Sequence, residues 1–223
     1  MSVAPHAGPS PRTPRDQVRR RLLDAAARVF AEQGYAGSRL DDIARTAGFT
    51  KGAVYSNFGG KHDLFAAVLS ERSATEADAV AAHARDSAPA AALDGIARDV
   101  ARRVTQDTER GRLGLEFAAH ATRDTPTREA VARMRRTQRA TTAEAVTRLV
   151  ERGLPLATDP ATAALIVHAL ANGLSMEYLA DPDGVDADAV EHTLAAALTA
   201  LTAAAPAVPA PANDIDAEPG DLV

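Results

Sequence analysis

Arg39-Leu40-Asp41-Asp42-Ile43-Ala44, followed by Ala47-Gly48-Phe49-Thr50-Lys51-Gly52-Ala53-Val54-Tyr55-Ser56-Asn57-Phe58, is the stretch whose reading decides the fold. Ser38 and Asp41 make a capping-box pattern, in which Ser38 caps a helix and Asp41 reaches back to the cap. Leu40, Ile43, Ala44 and Ala47 then supply an apolar stripe for two helical turns. Gly48-Phe49 breaks that helix, and Thr50 is placed to cap a second one running from Lys51 to about Phe58. Short helix, glycine turn, short helix is the geometry that offers one helix to a DNA major groove.

Upstream, a helix from about Arg15 to Gln33 carries Val18, Leu22, Ala26, Val29 and Phe30 at helical spacing, with Gly34 as its stop. Arg12, Arg15, Arg19, Arg20 and Arg21 straddle its beginning. Arg12 and Arg15 read either as an arm entering a minor groove or as a solvated tail. Downstream, Gly59-Gly60 punctuates the chain, and a fourth helix from near Lys61 buries Leu64, Phe65, Val68 and Leu69. Beyond Arg72 the periodicity is helical throughout, with no convincing strand. Pro89 opens a helix bearing Leu93, Ile96, Val100 and Val104, and Leu113 to Thr122 forms another. Thr125-Pro126 caps and opens a long helix that Gly153 and Pro155 end, and Asp159-Pro160 repeats the start signal. Val190, Leu194, Leu198 and Leu201 stripe the last helix. The expected chain is all-α. Residues 1–14 form a disordered basic arm, 15–60 a helix-turn-helix domain, 61–204 a larger helical domain and 205–223 a disordered tail.

Composition narrows the class. The chain has 223 residues and 46% hydrophobic content, and alanine makes up much of that total. No run approaches the ~18 uninterrupted apolar residues of a membrane span, and no secretory leader is visible. Zero cysteines exclude disulfides and thiolate metal sites. The expectation is a cytoplasmic protein without a cofactor or a metal. Net charge is −5, but residues 1–61 hold 10 Lys+Arg against 5 Asp+Glu, so a basic module sits on an acidic body. That distribution suits a protein that meets DNA with one end.

The quoted stretch, with Lys61 and Leu64-Phe65 after it and the helix ending Phe30-Ala31-Glu32-Gln33-Gly34-Tyr35 before it, resembles the DNA-binding domain of TetR-family transcriptional regulators. The resemblance covers roughly Arg19 to Leu69. Asn57 stands where many members have histidine, and Gly59-Gly60 replaces a more usual Pro-containing or polar pair. The resemblance implies that the helix from Lys51 enters the major groove and the helix from Leu40 braces it. Ser38, Arg39, Thr50, Lys51 and Lys61 are then placed for phosphate contacts, which set register and salt dependence. Gly52 and Ala53 let the backbone approach the groove, and Tyr55, Ser56 and Asn57 are candidates for polar contacts. Val54 and Phe58 read as core.

The resemblance also implies a ligand-responsive repressor that binds a palindromic operator as a homodimer. For a small-molecule pocket the candidates are Glu116, Phe117, His120 and Arg123, with His168, Asn172 and Met176 on a second helix. These polar residues among apolar stripes either converge on a ligand, or are hydrogen-bonded core groups, or lie at a dimer seam. The helix from Pro160 to Leu179 is apolar around most of its surface and either, with the helix from Ala187 to Thr202, forms a four-helix seam with a second chain or is simply a buried core helix.

Two other classes remain. Gly173-Leu174-Ser175 begins like a nucleophile elbow but has no closing glycine, and Gly59-Gly60-Lys61 lacks the rest of a phosphate loop. An enzyme is therefore not indicated. A helical adaptor without specific DNA binding is the alternative, and a salt-dependent DNA affinity separates it from a regulator.

Overall fold

The computed structural model describes residues 14–202; of residues 72–81, 84, 89 and 90 only the backbone is described. The expected arm, with Arg12, and the expected tail lie outside the described residues. The chain is all-α. In order the helices are α1 (Arg15–Gly37), α2 (Leu40–Ala47), α3 (Lys51–Phe58), α4 (Lys61–Asp86), α5 (Pro89–Gln106), α6 (Thr108–Ala121), α7 (Thr125–Glu151), α8 (Pro160–Ala180) and α9 (Ala187–Thr202).

Local chemistry explains most boundaries. Gly48 closes α2 in the left-handed conformation, φ 73° and ψ 32°, where an L side chain is disfavoured. Asp159 caps α8 by accepting from the backbone N–H groups of Ala161 and Thr162, both at 3.0 Å. Three expectations need correction. Ser38 is no cap: its hydroxyl donates to the Tyr35 carbonyl at 3.0 Å, and Arg39 occupies the cap position without a side-chain bond. Thr50 holds its cap position through backbone geometry alone. The long α7 is capped by Asp124, whose carboxylate accepts from Thr127 N at 2.8 Å, so Thr125 is already helical. A carboxylate is the stronger acceptor for an N-terminal N–H, and it wins the position. In the same way Asp107 caps α6, which begins at Thr108, earlier than its apolar stripe suggests.

Two arginines of α1 hold the short helices. The Arg19 guanidinium donates to the Asn57 carbonyl at 3.1 Å and lies 4.3 Å from the Phe58 ring centroid. The Arg21 guanidinium donates to the Ala47 carbonyl at 2.9 Å and covers the Phe49 ring at 4.8 Å. Each cation therefore satisfies the last carbonyls of one short helix, where the helix dipole favours positive charge. The basic cluster at the start of α1 thus does structural duty as well.

Apolar residues gather in two cores. The first joins α1–α4 to α6 and α7. It centres on Phe30, Tyr35, Phe65 and Phe117, with Phe30–Phe65 and Phe65–Phe117 centroids both 4.6 Å apart. The chain has only five Phe and three Tyr, so placing four of them at this junction makes it the densest aromatic packing in the molecule. The second core lies among α5, α7, α8 and α9, around Ile96, Leu149, Leu174, Val190 and Leu194. By length and composition α8 is apolar enough to cross a membrane, with mean hydropathy 1.2. One side of it packs against α5, α6, α7 and α9.

Candidate nucleic-acid interface and effector cavity

The face of α3 follows from its burial pattern. Val54 and Phe58 are buried against α1 and α4, as their spacing predicts. Lys51, Gly52, Tyr55 and Ser56 are turned outward, and Arg39 and Thr50 flank them, exposed. Tyr55 is 51% exposed, an unusual position for an aromatic side chain unless something packs on it. Lys51 Nζ lies 3.0 Å from Asp41 Oδ2 in an exposed pair, a weak arrangement that a phosphate can displace.

Other sequence candidates are placed less openly. Ser38 is 3% exposed and its hydroxyl faces inward, so its side chain offers no phosphate contact. Ala53 is half-buried. Asn57 turns back on its own helix: Nδ2 donates to the Ala53 carbonyl at 2.8 Å, and Oδ1 is buried without a hydrogen-bond partner. Ser56 likewise donates to Ala53 O at 3.1 Å, from an exposed position. Lys61 Nζ donates to the Ala36 carbonyl at 3.3 Å and sits 4.8 Å from the Tyr35 ring centroid. Burial pushes the Lys61 ammonium below its usual range, with Glu116 acting in the opposite direction. Lys61 ties α4 to the end of α1 and is not a free surface charge.

Behind this head, α4–α9 line an open cavity of about 960 Å³. His168 and Asn172 of α8 line it, as the sequence suggests. His168 Nε2 is 2.9 Å from Thr142 Oγ1, and burial, followed by the fields of Arg103, Arg135 and Arg139, keeps the imidazole below its usual value. Asn172 Oδ1 accepts from Arg135 Nη1 at 3.0 Å. The remaining candidates are not in the cavity. Met176 lies on the outer face of α8, 51% exposed, and Arg123 is exposed beyond the end of α6.

Glu116, Phe117 and His120 belong to the opposite side of α6. Arg110, Gly111, Gly114, Leu115 and Ala118 face the cavity, whereas Leu113 and Phe117 are buried in the first core. Glu116 Oε1 accepts from Ala36 N at 2.9 Å, and Arg112 donates to Ala31 O at 3.1 Å. The His120 ring stacks edge-on to Tyr35, 5.1 Å between centroids. The Tyr35 hydroxyl pairs with buried Thr127 Oγ1 at 3.1 Å, and Arg133 of α7 meets Asp63 of α4 at 2.7 Å. These residues tie α1 and α4 to α6 and α7. Sequence reasoning also missed Arg135, Gln138 and Thr142, which line the cavity from α7 at i, i+3 and i+7 with Ala145 and Leu149 below them. That stripe was the available signal.

The comparisons with known proteins agree with both halves. Residues 22–68 match the family model described as bacterial regulatory proteins, tetR family. Residues 89–203, more than half of the chain, match the BetI-type transcriptional repressor C-terminal domain. SrpR, an HTH-type transcriptional regulator of Pseudomonas putida, is 49% identical over 57 residues, which is 26% of this chain and 27% of that relative. The chain thus spans about a quarter of the length of that relative. TtgR, another HTH-type regulator of Pseudomonas putida, is 29% identical over 177 residues, covering 76% of this chain and 84% of TtgR. A solved structure from Rhodococcus sp., assigned to the TetR family, superposes with a TM-score of 0.67 at 23% identity, covering 84% of this chain and all of that one, and so has the same fold. With a reading head matched at its motif and a helical body matched along its length, the chain belongs to the TetR family of bacterial transcriptional regulators.

Proposed function

We propose that the chain is a dimeric DNA-binding repressor whose operator affinity is set by a small molecule held in the cavity. The carrying observation is the outward face of α3, with Lys51, Gly52, Tyr55 and Ser56 exposed on a helix fixed from behind by Val54, Phe58 and Arg19. Residues 15–60 serve as the reading head and 61–204 as the effector and dimerisation body, with α7 contributing to both cores. Arg39, Thr50 and Lys51 take phosphates; Tyr55 and Ser56 face the groove. The reading is one of regulation in the cytoplasm, without catalysis.

Dimerisation runs through α8 and α9. Leu165, Ile166 and Met176 of α8 are 53%, 38% and 51% exposed, a row of large apolar side chains that water covers poorly. A second copy on the same face gives a two-fold dimer, with recognition helices about 34 Å apart over a palindromic site.

Coupling runs through α6. A ligand that displaces Gly111, Gly114 or Leu115 moves Arg112 and Glu116 as well, and with them the end of α1 that they hold. An effector that prefers the DNA-incompetent arrangement by ~1.4 kcal/mol weakens operator binding about tenfold. The experiment is titration of the purified chain onto its own upstream DNA and a scrambled duplex across salt concentrations. The reading predicts saturable binding that favours the native fragment and falls steeply with salt. Absence of DNA affinity even at low salt overturns it.

A further inference from the structure

The lining of the cavity carries a charge imbalance. Arg102, Arg103, Arg110 and Arg135 line the space, against Asp99 and Asp107. Asp99 is held by His83 at 2.8 Å and by Arg102 at 3.2 Å. Asp107 accepts the Arg110 backbone N–H where it caps α6. Arg135 stands apart: its guanidinium donates to the neutral Asn172 Oδ1 at 3.0 Å, and among the described residues it makes no ion pair with a carboxylate. Its electrostatic neighbours are Arg110, Arg103 and Arg139, and burial with their repulsion weakens its hold on the proton. Burial, with the fields of Arg103, Arg135 and Arg139, holds His168 below its usual value and favours the neutral ring, which offers hydrogen bonding without charge. Much of the remaining lining is apolar, with Ile96, Val100, Leu149, Val167 and Leu198 among the residues around a space of about 960 Å³.

The geometry points to an amphipathic anion as the occupant of this cavity: an apolar body against α5 and α9, and an acidic head group on Arg135 beside Asn172 and His168. The inference rests on the reading that the cavity holds an effector, and it names the effector's chemical class. A partly buried guanidinium facing other guanidinium groups gains most from a negative charge, and its planar fork pairs two oxygens of a carboxylate or phosphate at once. A cation of the same shape is repelled, and a neutral analogue forgoes the charge-assisted bonds.

Isothermal calorimetry on the full chain tests this with dodecanoate, dodecan-1-ol and dodecyltrimethylammonium, each below its micellar concentration. Dodecanoate is expected to bind about tenfold or more tighter than the alcohol, the worth of a charge-assisted hydrogen bond, and the cation most weakly. Arg135→Met is expected to erase the preference for the acid while keeping alcohol binding, which also reports that the variant is folded. Arg135→Lys restores part of the preference. Equal affinities, a preference unchanged in Arg135→Met, or tighter binding of the alcohol or the cation overturns the inference. In that last case the effector cavity stands with a different ligand class. Binding of none of the three also overturns it, and the titration with upstream DNA then decides separately whether the regulator reading survives.

Discussion

Gly34→Ala places a β-carbon at a point where the backbone and a neighbouring helix both resist it. Gly34 has φ 69° and ψ 178°, a combination reserved in practice for glycine. Forcing alanine into it costs about 1–3 kcal/mol. The new carbon also falls 2.8 Å from Oε2 and 3.0 Å from Oε1 of Glu116. The carboxylate is the end of a flexible side chain, so it swings away and abandons its 2.9 Å bond from Ala36 N. Because Ala36 is exposed, water replaces part of that bond, and the loss is about 1 kcal/mol. The expected destabilisation is about 2–4 kcal/mol, or about 5–15 °C in Tm for a chain of this size. Urea unfolding followed by far-UV circular dichroism, at fixed protein concentration so that the proposed dimerisation contributes equally to both proteins, gives the number. A double-mutant cycle with Glu116→Ala separates the parts: the backbone cost persists in that background, and the clash disappears. The coupling is expected at roughly 0.5–1 kcal/mol. Strict additivity refutes the clash, and a Gly34→Ala protein as stable as the parent refutes the strain.

Three further predictions concern separate parts of the molecule. Lys51→Ala is expected to weaken specific and scrambled DNA alike and to lower the salt slope by about one; an unchanged slope removes Lys51 from the interface. Leu165→Glu should shift the dimer toward monomer in sedimentation equilibrium by on the order of a hundredfold in Kd, since each copy loses a buried leucine and gains a charge; an intact dimer means α8 does not form the seam. His168 has a depressed native pKa, so between its native and unfolded values the unfolded chain binds the extra proton. Stability from this residue is therefore complete above about pH 6.5 and declines as pH falls through the native value. In denaturation curves across that range, His168→Gln should flatten the acid-side decline, and an unaltered pH profile contradicts the assignment.

What the sequence reveals is what short-range chemistry decides. Asp159-Pro160 marks the start of α8 because cap and proline act within four residues, and Val54 and Phe58 read as core because one helical face repeats them. Ser38 and Thr125 show the boundary of that logic. Both are good cap residues, but the Tyr35 carbonyl takes the first and the neighbouring Asp124 supersedes the second. Lys61 and Asn57 look like surface groups in a basic module. Their partners, Ala36 O for one and the turn carbonyl of Ala53 for the other, exist only once the helices are packed or formed. The cavity was the least legible part. One face of α6 is buried in the first core and another lines the cavity, so its pattern does not say which residues face the cavity, and Glu116, Phe117 and His120 lie on the other side.

The two-sidedness of α6 also constrains how such a protein can change its ligand. Under the proposed coupling, a substitution on its inner surface is transmitted to the reading head, so altering recognition there alters the response as well. Gly114 is the exception: a β-carbon added to it meets nothing within 4 Å. Where they face the cavity, the wall of α5 and the part of α7 beyond Met134 are free of this double duty; Met134 itself lines the cavity and is buried in the first core. New specificities, whether selected in nature or sought in a biosensor library, should accumulate on those walls and at Gly114, leaving the rest of α6 as the inherited transmission.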